Sequence, residues 1–137
     1  MKKSLLVIAA MLLTAGLIIP WGCSDNSNNA LDNFQPEISD TTDNFQFQVT
    51  DAVNVSTTVN YDWENTGARA SVNQSCAITG GSAQLQIFDA LDSLVYDRSL
   101  ADNGTFQSDT AGVAGTWNVR VILNNLSGTL NFRAEKM

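Results

Sequence analysis

The chain has 137 residues, a formal charge of −7 and 44% apolar residues, enough for one modest core and too few for two domains. It contains no histidine, which excludes a Ser-His-Asp triad, a Cys-His nucleophile pair and the usual His-based zinc or copper site. With Lys2 and Lys3 set aside, five scattered basic residues (Arg69, Arg98, Arg120, Arg133, Lys136) face 14 acidic ones, the opposite of the clustered cations that a nucleic-acid partner requires.

Lys2 and Lys3 open the chain, and residues 4–19 follow without a charge, rich in Leu, Ile, Ala and Met, as in the basic and apolar regions of an export signal. The apolar run from Leu5 to Ile19 is 15 residues, contains Gly16 and ends at Pro20. A membrane-crossing helix needs about 20. After Cys23 the composition changes to Ser24-Asp25-Asn26-Ser27-Asn28-Asn29, a solvated tether.

An apolar segment, Gly22 before a cysteine and a polar stretch after it together resemble a bacterial lipoprotein signal. The resemblance implies that residues 1–22 are removed, that Cys23 is acylated and becomes the mature N-terminus, and that the protein is held in the cell envelope by lipid. Ser24 would by the same family's habit favour the outer membrane. The other arrangement is a soluble secreted or periplasmic protein with Cys23 free or paired to Cys76. An unpaired Cys76 in an oxidising compartment survives best when buried, so it is expected in the core. Residues 23–43, with Phe34 and Pro36, read as a linker to a domain over 44–137.

From Phe45 onward apolar and polar residues alternate with period two, the mark of half-buried strands. Phe45, Phe47 and Val49 form one run, Val59, Tyr61 and Trp63 a second, and Ala68, Ala70 and Val72 a third. Leu85 and Ile87 follow, then short strand signals at Leu94 to Tyr96 and Gly104 to Gln107. Trp117, Val119, Val121 and Leu123 line one side of the next run. Asn124 to Thr129 read as a turn, and Leu130, Phe132 and Ala134 return, which predicts a terminal hairpin. Gly and Asn clusters at 65–67, 80–81, 102–104, 112–115 and 127–128 punctuate the runs. The expectation is an all-β domain, a single antiparallel β-sandwich or jelly roll of about eight strands, following a helical signal segment.

The stretches "AQLQIFDALDSLVYDR" and "GTFQSDTAGVAGTWNVRVILNNLSGTLNFRAEK" resemble the small β-sandwich modules of secreted bacterial proteins, such as pre-peptidase C-terminal domains. That resemblance implies an accessory or carbohydrate-facing role and no catalytic residue.

Asp62 and Glu64 are two apart on a predicted strand, which puts both carboxylates on one face about 7 Å apart, a spacing used by inverting glycosidases. They fall in the outward phase, so solvated side chains with no pocket are expected. Asp89, Asp92 and Asp97 flank one turn and Asp102 lies in the next loop, so hard oxygen ligands for a structural calcium ion are available there, although the spacing matches no dedicated calcium loop. Trp63 and Trp117 fall in the inward phase and read as core. The sequence therefore favours a non-enzymatic, acylated envelope module that serves structure or protein interaction. The alternative is a carbohydrate or small-molecule binding module with its site in loops at one end of the domain.

Overall fold

The computed structural model describes residues 30–137. The signal segment, Cys23 and the proposed tether lie outside the described residues. A 3-10 turn at Ala30–Phe34 is followed by seven strands: β1 (Glu37–Thr41), β2 (Asn44–Asn65), β3 (Ala70–Gln74), β4 (Ala77–Phe88), β5 (Leu94–Ser99), β6 (Gly104–Gln107) and β7 (Gly115–Lys136). All pairings are antiparallel and belong to a single sheet. The protein is all-β over this range, as the alternation requires.

The sheet is organised by two strands of 22 residues each, β2 and β7, paired along their whole length from Asn44 opposite Glu135 to Asn65 opposite Gly115. Neither strand is straight. Phe45 and Tyr61 are sixteen residues apart in β2, about 50 Å in an extended strand, yet their ring centroids are 5.6 Å apart. The strand doubles back, and the backbone N–H of Asp43 donates to the carbonyl of Glu64 at 2.8 Å, joining its two ends. The sheet is therefore folded over so that its two halves face each other. One half holds β1, the start of β2, the end of β7, β3 and β6. The other holds the end of β2, the start of β7, β4 and β5.

The corner follows from a local change of apolar spacing. Val49, Ala52 and Val55 are all buried, three residues apart rather than two, and the intervening Asp51 and Asn54 have φ of 53° and 52°. Each three-residue step is a bulge, with an Asp or Asn tolerating the left-handed conformation. Opposite them Asn125 (φ 48°) and Gly128 (φ 137°) bend β7, and Gly81 (φ 70°) bends β4. Hydroxyls occupy backbone groups that the bulges take out of the ladder. Thr129 Oγ1 accepts from the Asp51 N–H, Ser127 Oγ from that of Asn54 and Ser56 Oγ from that of Asn125, at 3.1, 3.1 and 2.9 Å.

Three expectations change. The terminal hairpin is instead one continuous strand, because Leu126, in the middle of the supposed turn, is fully buried opposite Val55, and the chain bends around it without reversing. For the same reason the runs at 45–50 and 59–64 are a single strand, so eight expected strands become seven once β1 is added. Part of the expected linker over 23–43 is packed on the domain: Leu31 is fully buried in the core and β1 pairs with β2 from Glu37 opposite Gln48 to Thr41 opposite Asn44. β1 escaped notice because all five of its side chains are exposed, so it has no apolar phase.

Between the halves, Phe47 stacks on Phe132 at 5.2 Å and Trp63 meets Trp117 edge-on at 5.8 Å, with Leu85, Ile87, Val119, Val121 and Leu130 filling the space between. A polar strut crosses one side. Tyr96 Oη on β5 donates to Gln74 Oε1 on β3 at 2.6 Å, and Gln74 Nε2 donates to the carbonyls of Ser99 and Asp102. Burial pushes the Tyr96 hydroxyl up to about 12, so it stays protonated and keeps donating through the physiological range. The Arg98 guanidinium lies 3.8 Å from the centroid of Phe106, tying β5 to β6.

Leu31→Ala is expected to cost about 2–5 kcal/mol in urea denaturation, whereas a residue in a free linker would cost nothing. Gly81→Ala should also lower stability, by about 1–3 kcal/mol, because its Cβ would meet the carbonyl oxygens of Asn124 and Asn125 at a positive φ.

Candidate functional site

Three of the four loop residues singled out as calcium ligands, Asp89, Asp97 and Asp102, have side-chain partners within the fold. Asp89 is buried, and its Oδ1 accepts the backbone N–H groups of Leu91 and Ser93 at 2.9 and 2.8 Å while Oδ2 accepts that of Val113 at 2.9 Å. It is the keystone of the 89–93 turn. Hydrogen bonds from Ser93, Val113 and Leu91 hold its carboxyl below the ordinary carboxylate value. Asp97 accepts from Gln84 Nε2 at 2.6 Å, and Asp102 pairs with Arg98 at 3.7 Å. Asp92 adopts φ 63° in the turn. Among the described residues no three of Cys, Asp or Glu converge in a way that could hold a metal ion. Asp89, Asp92, Asp97 and Asp102 are not brought together as one site.

Other sequence candidates fall as follows. Cys23, the lipidation candidate, lies outside the described residues. Cys76 has no disulfide partner among the described residues and is only half-buried rather than fully in the core; its sulfur accepts the Asn131 N–H at 3.4 Å, and burial pushes its pKa up. Trp63 and Trp117 are fully buried, as their phase predicts. Asp62 and Glu64 are exposed on the outer side of β2, and Glu64 Oε1 accepts from the Thr116 hydroxyl at 2.8 Å. No enclosing pocket surrounds the pair, which lies on an open sheet surface.

That surface is the part sequence reasoning missed. Strand pairing places the outward residues of β2, β7, β4 and β5 in rows: Asn60, Arg120, Gln86 and Asp97 in one, Asp62, Asn118, Phe88 and Leu94 in the next. Arg120 sits near the centre. Its guanidinium carbon is 4.5 Å from the centroid of Phe88, and its Nε donates to Asn60 Oδ1 at 3.0 Å, so the group is fixed in place. Asn118 Nδ2 reaches the Tyr61 carbonyl at 3.4 Å, while its Oδ1 is shielded from solvent and has no partner among the described residues. With Asp92 and Thr116 these residues line a shallow depression of about 510 Å³. Beside it Leu91 and Leu94 are 71% and 45% exposed, an apolar rim continuous with Phe88. The field at this edge is negative: Asp40 on β1 has its pKa raised by desolvation and by the charges of Asp62 and Glu64. The signal that could have found this surface was the outward phase of the strands read together rather than strand by strand.

No family model matches the chain, and no curated protein matches it. Among solved structures it is similar to a chain of the Glycosylation Associate Protein (Gap123) complex from Streptococcus agalactiae, at 12% identity and a TM-score of 0.42, over 83% of this chain and 43% of that one. The chain thus spans less than half of that protein's length. A likeness at this level carries no argument here about what the protein does.

Because its folded pKa is depressed below the ordinary 3.8, Asp89 stabilises fully above the unfolded value, and that contribution is lost as pH falls through the folded one. Asp89→Asn should therefore cost about 1–3 kcal/mol at neutral pH and flatten the acid limb of stability against pH. Urea melts at neutral and acid pH check both.

Proposed function

We propose that the protein is a non-enzymatic lipoprotein of the cell envelope, anchored through acylated Cys23, whose β domain is a structural or protein-interaction module. The observation that carries this reading is the closeness of Cys23 to the folded domain. Leu31, the first core residue of the described chain, is eight positions after the Cys of the signal-like segment. Eight residues reach at most about 30 Å when fully extended, so a lipid on Cys23 would hold the domain close against the membrane surface. The acidic balance after Cys23 disfavours adsorption to anionic lipid by charge, which leaves acyl chains as the means of attachment. Outer-membrane placement rests on Ser24.

The non-enzymatic part of the proposal is supported by the absence of histidine from the sequence and by the open, solvated position of Asp62 and Glu64. A general acid works best in an enclosed site, and these carboxylates lie on an open sheet surface.

The deciding experiment is the intact mass of the protein extracted from bacterial membranes. The expected species begins at Cys23 and carries diacylglyceryl and acyl groups, and Cys23→Ser should leave the membrane fraction. A lipid-free chain lighter by two hydrogens than its reduced form would instead mean a Cys23–Cys76 disulfide and a secreted protein, and would end the anchored-module reading.

A further inference from the structure

The outer surface centred on Arg120 has hydrogen-bonding capacity that the fold does not use. Among the described residues the two terminal nitrogens of Arg120 have no hydrogen-bond partner, nor do the carboxylates of Asp62 and Asp92, although they line the same depression. A salt bridge between Arg120 and either carboxylate would have removed these vacancies, and none forms.

We infer that this surface is a binding site for a neutral glycan, with Arg120, Asp62 and Asp92 engaging hydroxyl groups and the exposed Leu91 and Leu94 receiving the C–H face of a sugar ring. A sugar hydroxyl both donates and accepts, so adjacent hydroxyls can satisfy a guanidinium and a carboxylate at once. A ligand of fixed charge satisfies only one kind. The apolar rim next to the polar depression matches the two-sided character of a pyranose, whose axial C–H groups form an apolar patch beside equatorial hydroxyls. Two carboxylates against one guanidinium, with Asp40 and Glu64 adding to the negative field, act against anionic polysaccharides. The site is also pre-ordered. Arg120 is already stacked on Phe88 and held by Asn60, so little side-chain entropy is lost on binding. The equivalent depression on the opposite half, lined by Ser71, Asn73, Thr105, Arg133 and Glu135, lacks an aromatic residue, and its Arg133 is paired with Glu135 at 3.2 Å. This inference goes beyond the anchored-module reading and holds whether or not Cys23 carries lipid.

The test is titration of the isotope-labelled full chain with neutral hexasaccharides of glucose, mannose, galactose and N-acetylglucosamine, followed by amide chemical shifts. An anionic galacturonate hexamer and hexalysine serve as the competing ligand classes. The expected result is saturable shifts confined to the β2–β7–β4 surface with at least one neutral hexamer at concentrations up to about 10 mM, weakened about tenfold or more by R120M and by D62N. R133M on the opposite surface should leave the affinity unchanged. Asp62 is exposed and makes no contact that the fold needs, so D62N remains informative if R120M unfolds. No shifts with any neutral hexamer, shifts that survive both substitutions, or binding only of the galacturonate or hexalysine would each overturn the inference.

Discussion

The structure depends on the doubling of two long strands at one shared corner. If β2 and β7 ran straight, their Phe and Trp residues would line one face of a flat ribbon with nothing to cover it, and an isolated two-stranded ribbon is at best marginally stable in water. Bending both strands at the same level turns that single face onto itself. Phe45 then meets Tyr61 from its own strand, and the apolar residues of each half supply the cover for the other. The corner is bought by conformation rather than by chain reversal: Asp51, Asn54, Asn125, Gly81 and Gly128 take positive φ, and Ser56, Ser127 and Thr129 occupy N–H groups that the bulges release.

Everything else follows from where that corner puts the remaining strands. β3 and β4 share one edge of β7, β3 along its second half and β4 along its first and the corner, so they lie in opposite halves. Their partners β6 and β5 then face each other across the open side, where the Arg98–Phe106 contact joins them and the Tyr96–Gln74 strut ties β5 to β3. The Tyr96–Gln74 link is a short bond between buried polar groups, which fixes one arrangement of the halves where apolar packing alone would permit sliding.

The fold class was legible because period-two alternation survives wherever a strand is half-buried. Trp63, Trp117, Leu85 and Ile87 were placed inside by phase alone, and the structure puts them there. The corner was misread for a physical reason: Asn, Ser and Gly at 124–129 serve equally in a tight turn and in a bulged bend. Leu126 distinguishes the two, since a residue at the tip of a hairpin has no core to enter. The three-residue spacing of Val49, Ala52 and Val55 carried the same information on β2. β1 was invisible because an edge strand pairs through its backbone, and its side chains need no pattern.

Loop carboxylates already engaged by the fold could not be told from free ones, because polarity in loops and polarity on a sheet look alike in sequence. In the structure the loop groups are largely consumed by the loops. Asp89 holds two N–H groups of its own turn and that of Val113 in another loop, Asp43 accepts from Thr66, Asn65 from Gly67, and Asn103 grips both the N–H and the carbonyl of Cys76. A short chain with tight turns spends its Asp and Asn on backbone that has no ladder partner. On the sheet surface the backbone is already paired, so the side chains above it are released from that duty. Asn118, Arg120, Asp62 and Phe88 stand on adjacent strands whose spacing the ladder fixes, which gives them a rigidity that the loops of this domain would have to build separately. Recognition chemistry in a domain of this size is thus most readily carried by the outward phase of the central strands, the same alternation that supplies the core.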